Sequence, residues 1–410
     1  MNLDKNIVLN TTMRWGTEIM NKSLWFAFMI LLTRLLGSKD FGYFSFAFAF
    51  ASIFATFTDL GTNMLIVKDI SRDTLQASSH LSNIFALKMM LSLLVFIAIL
   101  LYSTFSHSVD IIVILFSVSF IISSFLDPFN SLFRAHKQMH YESLVMLIWR
   151  LLIVVSSSLA LYYFRAGLKT IAIVFIAAGV TALILSFTIG KRTYNLKLNT
   201  INPGRWVPLL KASIPFGLVI IAGAIVMKFN TVLLQHFRGA EEVGWYSAAY
   251  RLIEGTLFIP SIFVASVTPF LFQHFSSPNL HKMIFKKALA VLLVISSLIA
   301  IVLYIFADNI VGLLYGKEFL NAIAPLRIIS LAIVFIYCNE LLLYFFLSME
   351  KYYSMVRIYI LAIIAYAAIC VILIPAYGFI GASWALFAIQ ALLFIVFLVI
   401  LATKGEKLAQ

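Results

Sequence analysis

The feature that most restricts what this chain can become is a succession of apolar runs, each about 20 residues or more, the length a helix needs to cross a hydrocarbon core. They lie at roughly 12–36, 41–67, 81–105, 110–133, 141–164 and 169–190, then roughly 210–236, 244–273, 284–307, 321–348, 353–374 and 379–402, and predict about twelve transmembrane helices. An open sheet is excluded at that depth, because lipid offers no partner for unpaired backbone groups. Composition agrees: 62% of the 410 residues are hydrophobic and 11% charged, against about 45–50% and about 25% in soluble domains. The first run is too long for a signal-peptide core and passes straight into the second, so a retained spanning segment is expected. The cysteines, Cys338 and Cys370, both sit in apolar runs, and the sequence predicts no disulfide framework, metal site or other cofactor.

The formal charge of +13 is spread through short connections, whereas a nucleic-acid face would cluster it on a soluble element. GAEEVGWY carries Trp245 where a phosphate-binding loop needs Lys, so ATP hydrolysis is not expected. Lys and Arg crowd alternate connections, including Lys68, Arg72, Arg134, Lys137, Lys191, Arg192, Lys282, Lys286 and Lys287, while the others hold only Lys39, Arg165, Lys169, Arg238 and Lys317. That bias predicts a multi-pass membrane protein with both termini cytoplasmic.

The longest connection, KRTYNLKLNTINPGRWVPL at 191–209, separates the first six runs from the last six. The expected domains are 1–195, a six-helix bundle, 196–209, a cytoplasmic linker, and 210–410, a second six-helix bundle. A repeat supports the cut: Gly37-Ser-Lys-Asp-Phe-Gly42-Tyr-Phe-Ser45 recurs as Gly239-Ala-Glu-Glu-Val-Gly244-Trp-Tyr-Ser247. With an even number of helices per half, both halves enter from the same face. The fold class expected is therefore an all-α polytopic membrane protein, two bundles related by a pseudo-two-fold along the membrane normal, as in alternating-access transporters.

Several charges fall inside the runs. The cations are Lys22, Arg34, Lys88, Arg150, Lys228, Arg251 and Arg327, and the acids Glu18, Asp59, Asp127, Glu142, Glu254 and Glu340. Each costs about 2.5–3.5 kcal/mol at a helix centre, so they must face protein or water. Arg14, Glu18 and Lys22 follow at i, i+4 and i+8 along one stripe, with Trp25 near its continuation. Counted from the outer helix end, Lys22 lies at about 21 Å and Asp59 at about 27 Å, level with Glu18. A cytoplasmic-half cluster of Arg14, Glu18, Lys22 and Asp59 is expected, and Lys228, Arg251 and Glu254 lie about 10–15 Å below the outer face.

Such cations suit an anionic group, which Lys meets as a point charge and Arg as a fork. Structural readings stand beside this one. Arg34 can snorkel or cap its helix, Lys88 and Arg150 lie within snorkelling range of the cytoplasmic face, and Arg251 and Glu254 can neutralise each other. Glu18 and Glu340 suit a proton or sodium site or a structural pair; Asp127-Pro128 marks a helix end or kink. Trp15, Trp25, Tyr43, Tyr246 and Tyr250 are candidates for stacking on sugars.

TRLLGSKDFGYFSFAFAFASIFATFTDLG (33–61) resembles the opening of Wzx-type polysaccharide flippases, in the polysaccharide-transport branch of the multidrug/oligosaccharidyl-lipid/polysaccharide (MOP) exporter superfamily. VGWYSAAYRLIEGTLFIPSIFVASVTPFLF (243–272), LLYGKEFLNAIAPLRIIS (313–330) and IPAYGFIGASWAL (374–386) extend the likeness over nearly the whole chain. The resemblance implies two bundles about a central cavity lined by helices 1 and 7, and a polyprenyl-pyrophosphate-linked oligosaccharide, the O-antigen type of cargo, carried to the outer leaflet. Its expected partners are that lipid, membrane lipids, H+ or Na+, and polysaccharide polymerase or assembly proteins.

Substrate-binding candidates are thus Lys22, Lys228, Arg251, Arg14, Arg150, Lys88 and Arg34; candidates for ion coupling or gating are Glu18, Asp59, Glu254 and Glu340. A multidrug exporter of the same superfamily would instead carry deep unpaired carboxylates. A membrane-embedded polymerase would need catalytic groups on a sizeable outer loop, and the outer loops here span only about 3–15 residues. No enzymatic activity is expected.

Overall fold

The computed structural model describes residues 5–63, 65–66, 70, 77–105, 109–194, 201–274, 277–349 and 352–404. Every regular element among them is helical. In chain order they are α1 (Lys5–Thr56), α2 (Ala77–Phe105), α3 (Ile111–Ser124), α4 (Leu126–Ala135), α5 (Met139–Phe164), α6 (Leu168–Tyr194), α7 (Trp206–Arg238), α8 (Ala240–Glu254), α9 (Phe258–Gln273), α10 (Pro278–Ile305), α11 (Ala307–Leu314), α12 (Ile323–Ser348) and α13 (Tyr352–Lys404). Ten segments among the described residues are long and apolar enough to cross a membrane, making this a multi-pass membrane protein. Two of them, Gly16–Thr56 and Met355–Leu401, hold enough residues for about 60–70 Å of straight helix, roughly twice the hydrocarbon thickness. Both contain a glycine off helical geometry, Gly37 (φ 74°, ψ 175°) and Gly378 (φ 57°, ψ −135°).

Contacts divide the chain into two compact units. The first comprises Met1–Leu35 with Phe46–Lys228, and the second Leu36–Ser45 with Phe229–Gln410. The boundary falls inside α7, and α1 lends ten residues to the second unit.

In the first unit, α6 packs on α3 and α5. A core of Ile66, Leu81, Ile84, Phe129, Leu132 and Phe133 is fully buried. Trp25 of α1 reaches Phe48 at 5.6 Å and Phe175 of α6 at 6.3 Å between ring centroids. Two breaks interrupt these helices. Residues 57–61 form a turn after α1, with Leu60 and Gly61 at φ 44° and 83°. Phe125 separates α3 from α4, whose first turn holds Asp127 and Pro128, where a missing N–H is harmless and a carboxylate suits the helix dipole.

In the second unit, α12 packs against α10, α13, α8 and α9. The repeat noticed in the sequence has a physical meaning here. Gly37 and Gly239, at φ 74° and 90°, turn the chain into helices that begin at Ser38 and Ala240, a conformation that costs a residue with a Cβ. One turn on, Gly42 lies against the Ala240 carbonyl and Gly244 against the Ser38 carbonyl; a methyl group on either would overlap that backbone. The two copies of the motif thus pack directly on each other.

Candidate functional site

A cavity of about 210 Å³ opens in the first unit between α1, α4 and α5. Its polar wall is made by Glu18 and Asn21 of α1, Arg134 of α4, and Glu142, Trp149 and Arg150 of α5. Arg134 ends one helix and Glu142 opens the next, favourable ends for a cation and an anion. Across the intervening turn the Arg134 Nε donates to both Glu142 oxygens at 3.0 and 2.9 Å, and its Nη2 also donates to Oε1. That fork cancels both charges.

Arg150 is differently placed. Its guanidinium lies 4.3 Å from the centroid of the Trp25 ring and 5.8 Å from that of Trp149, within cation–π range of both. Its buried Nε has no hydrogen-bond partner among the described residues, and the same holds for Trp149 Nε1 and Asn21 Oδ1. An unmet buried polar atom costs about 1–3 kcal/mol. Several such atoms, and a cation close to aromatic rings, belong to residues that line one cavity. The donors suit phosphate oxygens and the Asn21 acceptor suits a sugar hydroxyl.

The structure distributes the other sequence candidates as follows. Lys22 pairs with Glu18 at 3.1 Å, one turn away on α1, both side chains about half exposed at 52% and 55%. Asp59 meets Lys88 of α2 at 3.8 Å, and no ion pair joins Asp59 to Lys22 among the described residues. The side chain of Arg14 lies outside the described residues, as does that of Trp15. Arg34 is exposed on α1 and Lys228 half-buried on α7. The Lys88 side chain is wholly buried, and its Nζ has no hydrogen-bond partner among the described residues.

In the second unit Arg251 Nη1 pairs with Glu254 Oε2 at 2.5 Å, beside Tyr250, which stacks on Tyr246. Asn230 donates to the Tyr246 hydroxyl, and the Tyr315 hydroxyl donates to Ala248 O at 3.1 Å. Glu340 is half-buried on α12, next to Asn339, whose amide donates to Gln390 O and Oε1 at 2.9 Å each. Arg327 pairs with Asp308 at 2.5 Å.

Sequence reasoning did not bring Arg134, Glu142, Asn21 and Trp149 into one site. Arg134 read as a loop charge and Glu142 as an isolated acid; the usable signal was a cation closing one helix and an anion opening the next across a turn. Asn21, one turn above Thr17, is uncharged and escapes any count of ionisable groups.

A family model described as "Polysaccharide biosynthesis protein" matches residues 5–275. Among solved structures, an inward-facing multidrug resistance MATE family transporter of the MOP superfamily superposes with a TM-score of 0.77 at 15% identity, covering 97% of this chain and 98% of that one. The lipid II flippase MurJ in an inward closed conformation gives 0.76 at 14% identity, with 98% and 90% covered. A MOP superfamily transporter from Pyrococcus furiosus gives 0.65 at 16% identity, with 99% and 96% covered. At such identities the likeness concerns the fold. No curated protein matches the sequence.

Proposed function

The chain belongs to the polysaccharide biosynthesis protein family, and on that premise we propose that it is a flippase moving polyprenyl-pyrophosphate-linked oligosaccharide repeat units from the inner to the outer leaflet of the cytoplasmic membrane. It works by alternating access, coupled to an ion, and performs no chemistry of its own. The observation that carries this reading is the first unit's cavity, where Arg150, within cation–π range of Trp25 and Trp149, keeps an unpartnered Nε beside the unpartnered Trp149 indole and Asn21 amide oxygen. Pyrophosphate supplies acceptors for the first two, and a glycan hydroxyl is a donor for the third.

Counting Gly16–Thr56 and Met355–Leu401 as two crossings each, divided at Gly37 and Gly378, turns ten candidate segments into about twelve crossings. Six precede the 196–209 connection and six follow, which leaves both termini on the cytoplasmic side with the Lys- and Arg-rich connections. Lys22, Lys228, Arg34 and Arg14 then offer cationic stations along the crossing, and Glu18, Glu254 and Glu340 are candidates for gating. A drug exporter for cationic compounds fits the cavity less well, because its buried carboxylate, Glu142, is already forked by Arg134.

The test is transport of a fluorescent polyprenyl-pyrophosphate oligosaccharide in proteoliposomes by the wild type and by Arg150→Ala, Lys22→Ala and Lys228→Ala. Arg150→Ala is expected to lose about tenfold or more, the equivalent of one charge-assisted hydrogen bond. Full activity in all the variants removes the site; binding of a cationic dye with no response to the lipid-linked sugar favours the exporter.

A further inference from the structure

Away from the cavity wall, the first unit contains a second polar centre that the flippase reading does not use. Asp59 stands in the turn that breaks the chain after α1, and its Oδ1 accepts from Thr62 Oγ1 at 2.7 Å and from the Asn63 amide at 3.2 Å. Asp127 stands just after the break between α3 and α4. Thr58 Oγ1 donates to Ser124 Oγ at 3.1 Å, fastening one break to the other. Carboxylates, hydroxyls and the unwound backbone of interrupted helices are the oxygen-rich surroundings in which membrane transporters hold small monovalent cations.

A cation is already there. Lys88 extends from α2 with a side chain that is 0% exposed, and its Nζ lies 3.8 Å from Asp59 Oδ1. The separation from Asp59 is short enough for an ion pair and too long for a hydrogen bond, and none of the ammonium donors finds an acceptor among the described residues. Charge holds Lys88 in place, as it would hold a bound ion. The nearby Arg134 and Glu142 neutralise each other and leave this balance unaltered.

We propose that Asp59 anchors a monovalent-cation site whose occupant is the chain's own Lys88 ammonium, a tethered ion that denies the site to sodium. Asp59 Oδ1 is committed to Thr62, Asn63 and Lys88, and a second cation would meet like charge. Lys88 accordingly serves this site and not the substrate. The consequence for coupling, that the first unit cycles without binding sodium here, rests on the transporter reading; the site itself does not.

The test needs no transported substrate. Thermal unfolding of the full-length protein is followed in sodium chloride and in choline chloride at equal ionic strength. The wild type is expected to melt at the same temperature in both. Lys88→Met, which removes the ammonium facing the Asp59 carboxylate, is expected to gain a sodium-specific rise of about 3 °C or more, abolished by adding Asp59→Asn. If Lys88→Met fails to fold in choline, sodium during extraction is expected to restore it. The proposal is overturned by a sodium-specific rise in the wild type that Asp59→Asn removes. It is equally overturned by a folded Lys88→Met indifferent to sodium, or by a Lys88→Met that sodium does not rescue while Lys88→Met/Asp59→Asn folds.

Discussion

The two units handle buried polarity in opposite ways. In the first, charged and polar groups are enclosed with some of their hydrogen-bonding capacity unmet: Lys88 Nζ, Arg150 Nε, Trp149 Nε1 and both amide atoms of Asn130. In the second, Asn230 meets Tyr246, His281 Nε2 lies 2.9 Å from Ser348 Oγ, Tyr337 OH donates to Thr256 O at 2.8 Å and Arg251 grips Glu254. The second unit has its own unmet atoms, such as Gln235 Oε1 and Asn339 Oδ1, but among the described residues none of these belongs to a charged group. Satisfied networks fix a single arrangement. Unmet charged donors raise the energy of the empty state and so favour whatever fills them. On the proposed reading, recognition falls to the first unit and rigidity to the second.

The strongest way to break this contrast is to remove one member of the sealed pair. Asp59→Ala strands the Lys88 ammonium, and a loss of about 3–5 kcal/mol is expected in reversible unfolding, the usual cost of uncompensated buried charge. A loss below about 1 kcal/mol would show the pair to be as wet as a surface bridge. Next comes the packing of the second unit: Gly42→Ala or Gly244→Ala must push helix backbones apart, with an expected loss of about 1–3 kcal/mol. Native-like melting of both variants would mean that the close approach is not there.

A third comparison separates recognition from rigidity directly. Arg150→Ala is expected to lower transport by about tenfold or more while leaving the melting temperature within about 2 °C. Arg251→Ala, which leaves Glu254 partly buried without its 2.5 Å partner, is expected to show itself first as lost stability. Arg150→Lys should not restore transport, since an ammonium lacks the flat fork that lies over the Trp25 indole. The smallest effect expected is that of Tyr337→Phe, about 1 kcal/mol for one hydrogen bond to a backbone carbonyl; no change at all would place that hydroxyl in water.

Much of the fold was legible because its signals are local. Apolar runs announce spanning helices by length alone, and the spaced glycines of 37–45 and 239–247 announced a repeat. The site was legible only in its ingredients. Asp59 and Glu18 look level when depths are counted along straight helices, yet the turn at 57–61 redirects the chain and delivers Asp59 to Lys88, a residue on another helix. Likewise Lys22 was expected in a cluster with Arg14, Glu18 and Asp59; Glu18 is within 3.1 Å of it, whereas Asp59 pairs with Lys88. Periodicity shows which face a residue occupies; it does not show which other helix arrives there.

The glycine contact between the repeated motifs also has a consequence for biosynthesis. Residues 36–45 emerge early, but the stretch they dock onto, 239–247, is translated about 200 residues later, a wait of roughly 10–40 s at about 5–20 residues per second. During that interval the newborn Gly42 surface has no mate within its own polypeptide. The second unit is therefore assembled from the nascent chain's beginning and end, and a ribosome that stalls before Gly244 leaves an incomplete product that quality-control proteases can recognise.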